Sequence, residues 1–203
     1  FLDKPETVFN RYPQTDQSLP AIYARAIATY RKAGVQAAMP LLDQLIVANP
    51  SNPYFWELKG QFLFESGQVA AAIPPLRMAV QLAPNEPLIR IMFAQVLLAA
   101  KGKENIDEAI SNLRTALARE TTSATGYRQL AAAYARKAET VPGQARQHLM
   151  AQAELASAEA YFYQGQLKLA KQQAKRAKAG LVEGTPNWLR ADDILAFEMP
   201  KTE

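Results

Sequence analysis

The sequence predicts an all-α protein built as an array of helix-turn-helix units, and three observations support this prediction. Hydrophobic residues make up 49% of the 203 residues, and alanine and leucine dominate them. β-Branched residues, which favour strands, are sparse. Proline and glycine lie between apolar segments of helical periodicity. Similar residues also recur at a fixed spacing, which is typical of repeat proteins.

The recurring spacing is 34 residues. Pro50 and Pro84, each of which follows an apolar helical segment, lie 34 residues apart. Further pairs with this spacing are Ala38 and Ala72, Leu42 and Leu76, and Ala26 and Gly60. Thirty-four residues is the length of the tetratricopeptide repeat (TPR), a pair of helices joined by a turn. The sequence therefore predicts a TPR-like helix-turn-helix solenoid, in which each unit buries its apolar face against its neighbours.

The clearest repeat runs from about Asn52 to Asn85. We expect Trp56 to pack between its two helices, and Gly60, which has no side chain, to let them approach closely. Lys59 stands where the repeat usually has leucine. The residues expected to hold the repeat together are Trp56, Gly60, Leu63, Ala72, Leu76, Ala79 and Pro84.

The other repeats follow the pattern less closely. The third needs about three extra residues near Lys101, and the fourth is irregular because Val141-Pro142-Gly143 interrupts it. We expect the long stretch after this interruption to fuse into the first helix of a fifth unit. These patterns predict three segments: a helix and linker from a preceding domain (1–18), a TPR array of about four to five repeats (19–182), and a C-terminal capping helix and tail (183–203).

Composition excludes several classes of protein. A net charge of +4 with 21% charged residues is far from that of a dedicated nucleic-acid binder. The absence of cysteine excludes disulfides and thiolate sites, and suits a periplasm as well as many cytosolic proteins. No run of about 18 apolar residues predicts a membrane span. The chain opens on Phe1 without an initiating methionine, so we expect it to be a piece of a longer protein.

No motif of an enzyme site is present in the sequence. The single histidine, His148, cannot form the HExxH motif of a zinc protease, which needs two histidines. Neither a phosphate-binding glycine loop nor a nucleophile elbow occurs. We expect His148 to lie at the surface or core edge, and the adjacent Asp192 and Asp193 to be solvated. We therefore expect no catalytic residue, metal site or cofactor in this chain.

A partner-binding surface is expected along the first helix of each repeat, which lines the concave side of a TPR array. Aromatic, amide and arginine side chains are common at such interfaces. The candidate residues of this surface are mainly apolar, which argues against a purely electrostatic carboxylate clamp. Alternatively, Tyr30, Phe64 and Leu98 close the space between consecutive helices. The candidates are Tyr23, Ile27, Tyr30, Glu57, Gln61, Phe64, Ile91, Gln95, Leu98, Arg128, Ala132 and Arg136.

A basic stripe is predicted near the C-terminus, where lysines recur at helical spacing with Arg176 beside them. Such a stripe suits an acidic protein surface or an anionic lipid headgroup. The alternative is a solvated outer face whose cations favour the end of a helix. The stripe comprises Lys168, Lys171, Lys175 and Lys178.

Several short motifs resemble one family. They are Phe1-Leu2-Asp3-Lys4-Pro5, Arg11-Tyr12-Pro13, Ser18-Leu19-Pro20, residues 23–28, residues 52–60 and residues 184–195. Together they resemble the C-terminal region of periplasmic zinc metalloproteases with TPR tails, the BepA-like family, in its alphaproteobacterial form. In that family a protease domain with an HExxH zinc site precedes the TPR domain, and the protein takes part in quality control of outer-membrane proteins.

The resemblance implies the recruiting half of such a protease. HExxH is absent here, so no zinc ligand or catalytic glutamate can be assigned, and zinc is expected only in the missing domain. The implied partners are substrates, the protein's own protease domain and outer-membrane assembly proteins. The implied location is the periplasmic cell envelope, including its membrane surface. A free-standing TPR adaptor remains the alternative, whereas an enzyme or a nucleic-acid binder has little support.

Overall fold

The computed structural model describes residues 4–100 and 102–198, and every regular element in these ranges is an α-helix. Phe1, Leu2, Asp3, Lys101 and residues 199–203, which include the predicted tail, lie outside the described residues. The predicted all-α, TPR-like fold class is confirmed. The helices are α1 (Pro5–Arg11), α2 (Leu19–Ala33), α3 (Val35–Ala48), α4 (Pro53–Glu65), α5 (Val69–Leu82), α6 (Pro87–Ala99), α7 (Glu104–Leu117), α8 (Ala124–Ala138), α9 (Gly143–Tyr163), α10 (Leu167–Gly180) and α11 (Pro186–Ala196).

The chain forms two compact units, Phe1–Val96 and Leu97–Glu203, whose boundary falls within α6. In the first unit, α2 packs against α3 and α4 against α5, as expected for two helix-turn-helix repeats, while α3 also packs against α4. Both second helices carry an internal proline at an equivalent position, Pro40 in α3 and Pro74 in α5. These prolines lie one repeat length apart. The two repeats therefore share even a proline inside a helix, a residue that disfavours helical structure.

The α4–α5 hairpin is packed closely enough to require a glycine. A Cβ atom added to Gly60 would lie 2.4 Å from Cγ of Leu76, well inside normal contact distance. Leu76 is fully buried, as are Ala72 and Ala79 on the same side of α5. The small residue at position 60 therefore sets how closely the two helices approach.

The turn before α2 is held by a buried arginine. Arg25 is 5% exposed, and its Nη1 donates hydrogen bonds to the carbonyl oxygens of Pro13 (2.8 Å) and Asp16 (2.7 Å). Helix α1 packs on α2, where Lys32 forms an ion pair with Glu6 at 3.3 Å. Because carbonyl oxygens satisfy the buried cation, Arg25 fixes the path of the predicted linker before α2.

In the second unit, one long helix follows α8 in place of a regular second helix of the fourth repeat. Helix α9 has 21 residues and packs against both α8 and α10. This is the stretch that the sequence predicts to fuse a fourth and a fifth unit. Small side chains dominate its contacts and allow close helix approach. One buried core of the second unit, to which α9, α10 and α11 contribute, comprises Ala151, Leu155, Ala158, Ala170, Ala174, Ala177, Leu181, Ala191 and Ile194.

Helix α11 covers the end of this core, at the place of the predicted capping helix. It packs against α10 and α9. Arg190 donates from Nε and Nη2 to the two carboxylate oxygens of the buried Glu159, at 2.6 and 2.8 Å. A bidentate pair of this kind fixes orientation as well as position. Across residues 4–100 and 102–198, none of the helices is both long enough and apolar enough to cross a membrane.

Candidate partner-binding site

An open groove with aromatic walls lies in the first unit, where α2 and α4 begin. Its volume is about 600 Å³. The side chain of Asn52 caps α4 by accepting a hydrogen bond from the backbone N–H of Tyr54 (3.0 Å), so the groove wall is anchored to a regular helix start. Tyr54 is 49% exposed, although a tyrosine ring is largely apolar. We call this surface the aromatic groove; it is lined by Leu19, Pro20, Tyr23, Asn52, Tyr54 and Phe55.

Ring contacts join α2 to α4 along this surface. The Tyr23 and Phe55 rings are tilted with centroids 6.1 Å apart, and those of Tyr30 and Phe62 are stacked at 3.9 Å. Tyr30 therefore fills the space between consecutive first helices, which is the alternative role that the sequence left open for it. Tyr23 contributes to the same packing and also lines the aromatic groove.

Farther along α2 and α4, the predicted candidates form a mixed surface. Ile27, Glu57, Gln61 and Phe64 are all half-buried. Burial raises the pKa of Glu57, and the nearby charge of Glu86 raises it further. The Gln61 amide donates to the Glu65 carboxylate at 2.7 Å. Polar groups therefore follow the residues of the aromatic groove along α4.

Two of the three candidates on α6 are core residues. Ile91 is 6% exposed and Leu98 is 8% exposed, so neither offers a partner much surface, whereas Gln95 is exposed. Ile91 and Leu98, which were expected to project into a groove, are instead buried in the core. The physical reason is the composition of α6, Pro-Leu-Ile-Arg-Ile-Met-Phe-Ala-Gln-Val-Leu-Leu-Ala, which is apolar on nearly every side.

A second groove lies in the other unit, along one side of α8, α9 and α10. Its volume is about 440 Å³, and its lining includes four alanines and two arginines. Arg128 and Ala132, two of the residues predicted for the concave side, are among its lining residues. We call it the alanine groove; its lining residues are Arg128, Ala131, Ala132, Ala135, Met150, Ala153, Glu154, Ser157, Gln173 and Arg176.

The alanine groove is lined by charges of both signs, the carboxylate of Glu154 and the guanidinium groups of Arg128 and Arg176. Burial raises the pKa of Glu154, and the positive charge of Arg176 lowers it in part. Arg136, the third candidate on α8, does not line this groove, because its Nη1 donates to the backbone carbonyl of Leu98. Arg136 is nevertheless exposed, so its role in partner contact stays a prediction.

The residues predicted to hold the second repeat together lie within the α4–α5 hairpin or at its turns. Leu63 is buried with Leu76, whereas Trp56 is half-buried and its Nε1 donates to the carbonyl oxygen of Pro50 at 2.8 Å. Trp56 therefore also anchors the turn before α4. Pro84 is exposed and lies just after α5.

The basic stripe is not a uniform surface. Lys168 and Lys175 are exposed and Lys171 is half-buried. The Lys178 ammonium instead lies 4.1 Å from the centroid of the Trp188 ring and pairs with Asp192. Lys178 and Asp192 thus hold α11 to α10, which corrects the expectation that Asp192 is simply solvated.

Two other predictions concern isolated polar residues. Arg176, expected beside the stripe, lines the alanine groove. His148 is exposed on α9, with Nε2 2.9 Å from Nε2 of Gln152. Within residues 4–100 and 102–198, no cluster of three histidine or acidic side chains is arranged to hold a metal ion.

Sequence reasoning missed part of the aromatic groove. Leu19, Pro20, Asn52 and Tyr54 precede or begin their helices, and the repeat register assigns groove positions only within a helix. A usable signal was present: Asn52-Pro53 marks a helix start, and Tyr54 follows it on a turn where an aromatic ring has little core to enter.

Comparison with known proteins identifies the repeat type. Residues 23–87 match the family model for the tetratricopeptide repeat. A search of curated protein sequences finds no match.

Among solved structures, MamA from Desulfovibrio magneticus RS-1 superposes with a TM-score of 0.61 at 15% identity, covering 88% of this chain and 92% of that one. YrrB, described as a TPR protein with an unusual peptide-binding site, superposes with a TM-score of 0.60 at 22% identity, covering 78% and 75%. Residues 23–87 therefore match the tetratricopeptide repeat, and the fold of the chain resembles that of solved TPR proteins.

Proposed function

We propose that the chain recruits a partner protein by binding a segment of it, anchored by an apolar or aromatic side chain, in the aromatic groove. The observation that carries this proposal is the exposure of Tyr54 beside Tyr23 and Phe55 in an open, mainly apolar groove. Exposed aromatic clusters rimmed by polar groups are typical of protein-binding surfaces. The peptide-binding site described for the similar fold of YrrB supports the same use.

The polar residues next to the aromatic groove suit an extended segment. Glu57, Gln61 and Glu65 follow one another along α4, so they offer carboxylate and amide groups at successive helical turns. Such groups would accept backbone N–H groups or cationic side chains of the bound segment. Aromatic anchoring would supply affinity, and this polar continuation would supply direction.

The test of this proposal is a direct affinity measurement. Peptides selected by display against the full chain would be titrated against the unaltered protein, Tyr54→Ala and Val47→Ala. Val47 is the matched control because it is 81% exposed on α3 and does not line the groove. We expect Tyr54→Ala to weaken binding about tenfold or more, and Val47→Ala to have no effect. Equal weakening by both variants would refute the aromatic groove as the site.

We further propose that this module serves a zinc metalloprotease in quality control of outer-membrane proteins. Support comes from the sequence resemblance, which spans residues at both ends of the chain. On this proposal the module packs against its own protease domain in the periplasm and recruits substrates or assembly proteins. Zinc would be held by the protease domain, since this chain has only one histidine and no cysteine.

A free-standing adaptor is a second candidate, favoured by a TPR fold that needs no enzyme to bind a partner. The reading frame that encodes this chain distinguishes the two. The protease proposal requires HExxH upstream of Phe1 in the same frame. A frame without that motif would refute the protease assignment and leave the interaction module unchanged.

A further inference from the structure

A partly enclosed cleft in the second unit shares no lining residue with the alanine groove. It is formed by α7, α8, α9 and α11 and has a volume of about 250 Å³. Tyr127 and Tyr134 face it from α8, whereas Arg128 and Ala132 of the same helix line the alanine groove. The cleft is therefore on a different side of α8 from the predicted concave surface. We call it the tyrosine cleft.

The charges that line the tyrosine cleft leave one cation unbalanced. Glu159 supplies the single carboxylate among its described lining residues, and this carboxylate is already in a bidentate pair with Arg190. Arg114 also lines the cleft, is exposed, and has no ion pair within the described part of the chain. The lining thus carries one net positive charge, which a ligand with one anionic group would neutralise.

Neutral donors and apolar walls accompany the cation. Tyrosine hydroxyls are protonated at neutral pH and can donate hydrogen bonds. Burial raises the pKa of Tyr127 to about 12 and also raises that of Tyr134, which adds to this preference. The Gln152 amide is a further polar group in the lining. Leu130 and Leu155, which are both buried, form the apolar part of the wall.

Size limits what the cleft can hold. Pockets for drug-sized ligands and cofactors measure roughly 300–1,000 Å³, and the tyrosine cleft is smaller. An inorganic anion would leave the leucine wall without a contact. A small organic anion with an apolar body satisfies both kinds of wall.

We propose that the tyrosine cleft binds one carboxylate carried on a small apolar group, with the carboxylate on Arg114 and the apolar group against Leu130 and Leu155. The C-terminal residue of a peptide and a free monocarboxylic acid share this chemistry. The site is independent of the aromatic groove, so the failure of one proposal leaves the other intact.

The test titrates the full isotopically labelled chain with N-acetyl-leucine and follows the backbone amide signals of α7, α8 and α9. We expect saturable shifts around the cleft, and none with N-acetyl-leucinamide, which lacks the carboxylate. Arg114→Gln should weaken binding about tenfold or more. Arg119→Gln, a matched change at an exposed arginine outside the lining, should leave binding unchanged, as should Tyr54→Ala.

Two further probes distinguish the sources of the carboxylate. Binding of N-acetyl-glycyl-leucine but not of 4-methylpentanoate would support a peptide C terminus, and the reverse would support a free acid. Equal binding of the amide, equal weakening by Arg114→Gln and Arg119→Gln, or no saturable shifts up to about 20 mM would overturn the proposal.

Discussion

At the residue scale, the contact between Gly60 and Leu76 decides how the second repeat packs. An added Cβ would lie 2.4 Å from Leu76 Cγ, and Leu76 is fully buried, so it has little room to move away. Alanine also favours helix over glycine by about 1 kcal/mol. Overpacking costs about 1–3 kcal/mol. Because Leu76 is confined, we expect the overpacking cost to exceed the gain in helix propensity.

We expect Gly60→Ala to lower the free energy of unfolding by about 1 kcal/mol, measured by urea denaturation. In a Leu76→Ala background the clash is absent, so the same change should be neutral or stabilising. A double-mutant cycle measures this difference directly. Stabilisation of the unaltered protein by Gly60→Ala would contradict the close helix approach.

Glu57 makes stability depend on pH. Its pKa is raised above 4.5, by burial first and by Glu86 second. The folded state therefore holds this proton more tightly than the unfolded state. The stabilisation is fully present below pH 4.5 and is lost as pH rises through the folded-state pKa.

We expect Glu57→Gln to raise the melting temperature at pH 7, because the amide avoids burying a charge. The difference from the unaltered protein should shrink as pH falls through the carboxylate's titration range. Calorimetry at several pH values checks this, with the exposed Glu139→Gln as control. An equal effect at all pH values would show that Glu57 acts through its shape and not its charge.

At the scale of elements, α11 is attached to the second unit through polar contacts as well as through Ala191 and Ile194, which lie in its core. The Glu159 carboxylate is buried and receives two hydrogen bonds from Arg190, whose cation also lies over the Phe162 ring at 5.4 Å. Lys178 adds the contacts to Trp188 and Asp192. Removing Arg190 would leave the buried Glu159 carboxylate without its partner. The cost is below the ~3–5 kcal/mol of a fully buried pair, because the Arg190 side chain is 35% exposed.

We expect Arg190→Met to release α11 and to lower the amide hydrogen-exchange protection of Pro186–Ala196 at least tenfold. Protection of α2 to α5 should stay unchanged. Arg176→Met, at an exposed arginine of α10, is the matched control and should leave α11 protected. Unchanged protection in Arg190→Met would show that apolar contacts alone hold the helix.

At the scale of the whole molecule, the 34-residue spacing was sufficient to predict the fold class. The break at Val141-Pro142-Gly143 also marked the start of the long stretch that forms α9, because such breaks depend on local sequence. Groove positions were harder to predict. Ile91 is buried and Lys178 binds α11 because of tertiary neighbours, which a helical register does not encode.

The aromatic groove contains residues that the repeat register did not predict. Its exposed residue, Tyr54, lies at the start of α4, where the repeat register assigns no groove position. Phe62 stacks on Tyr30, although its position was not among those expected to matter. Pairings between successive repeats depend on which side chains meet, and not only on where each one points.

The central claim is that a partner protein contacts this molecule at the aromatic groove, and site-specific photo-crosslinking in the native host tests it most directly. A benzophenone side chain would replace Tyr54 in one strain and Val47, exposed on α3, in another. We predict a discrete crosslinked protein from position 54, competed by an excess of the selected peptide, and none from position 47. Crosslinks from position 47 without any from position 54 would contradict the claim.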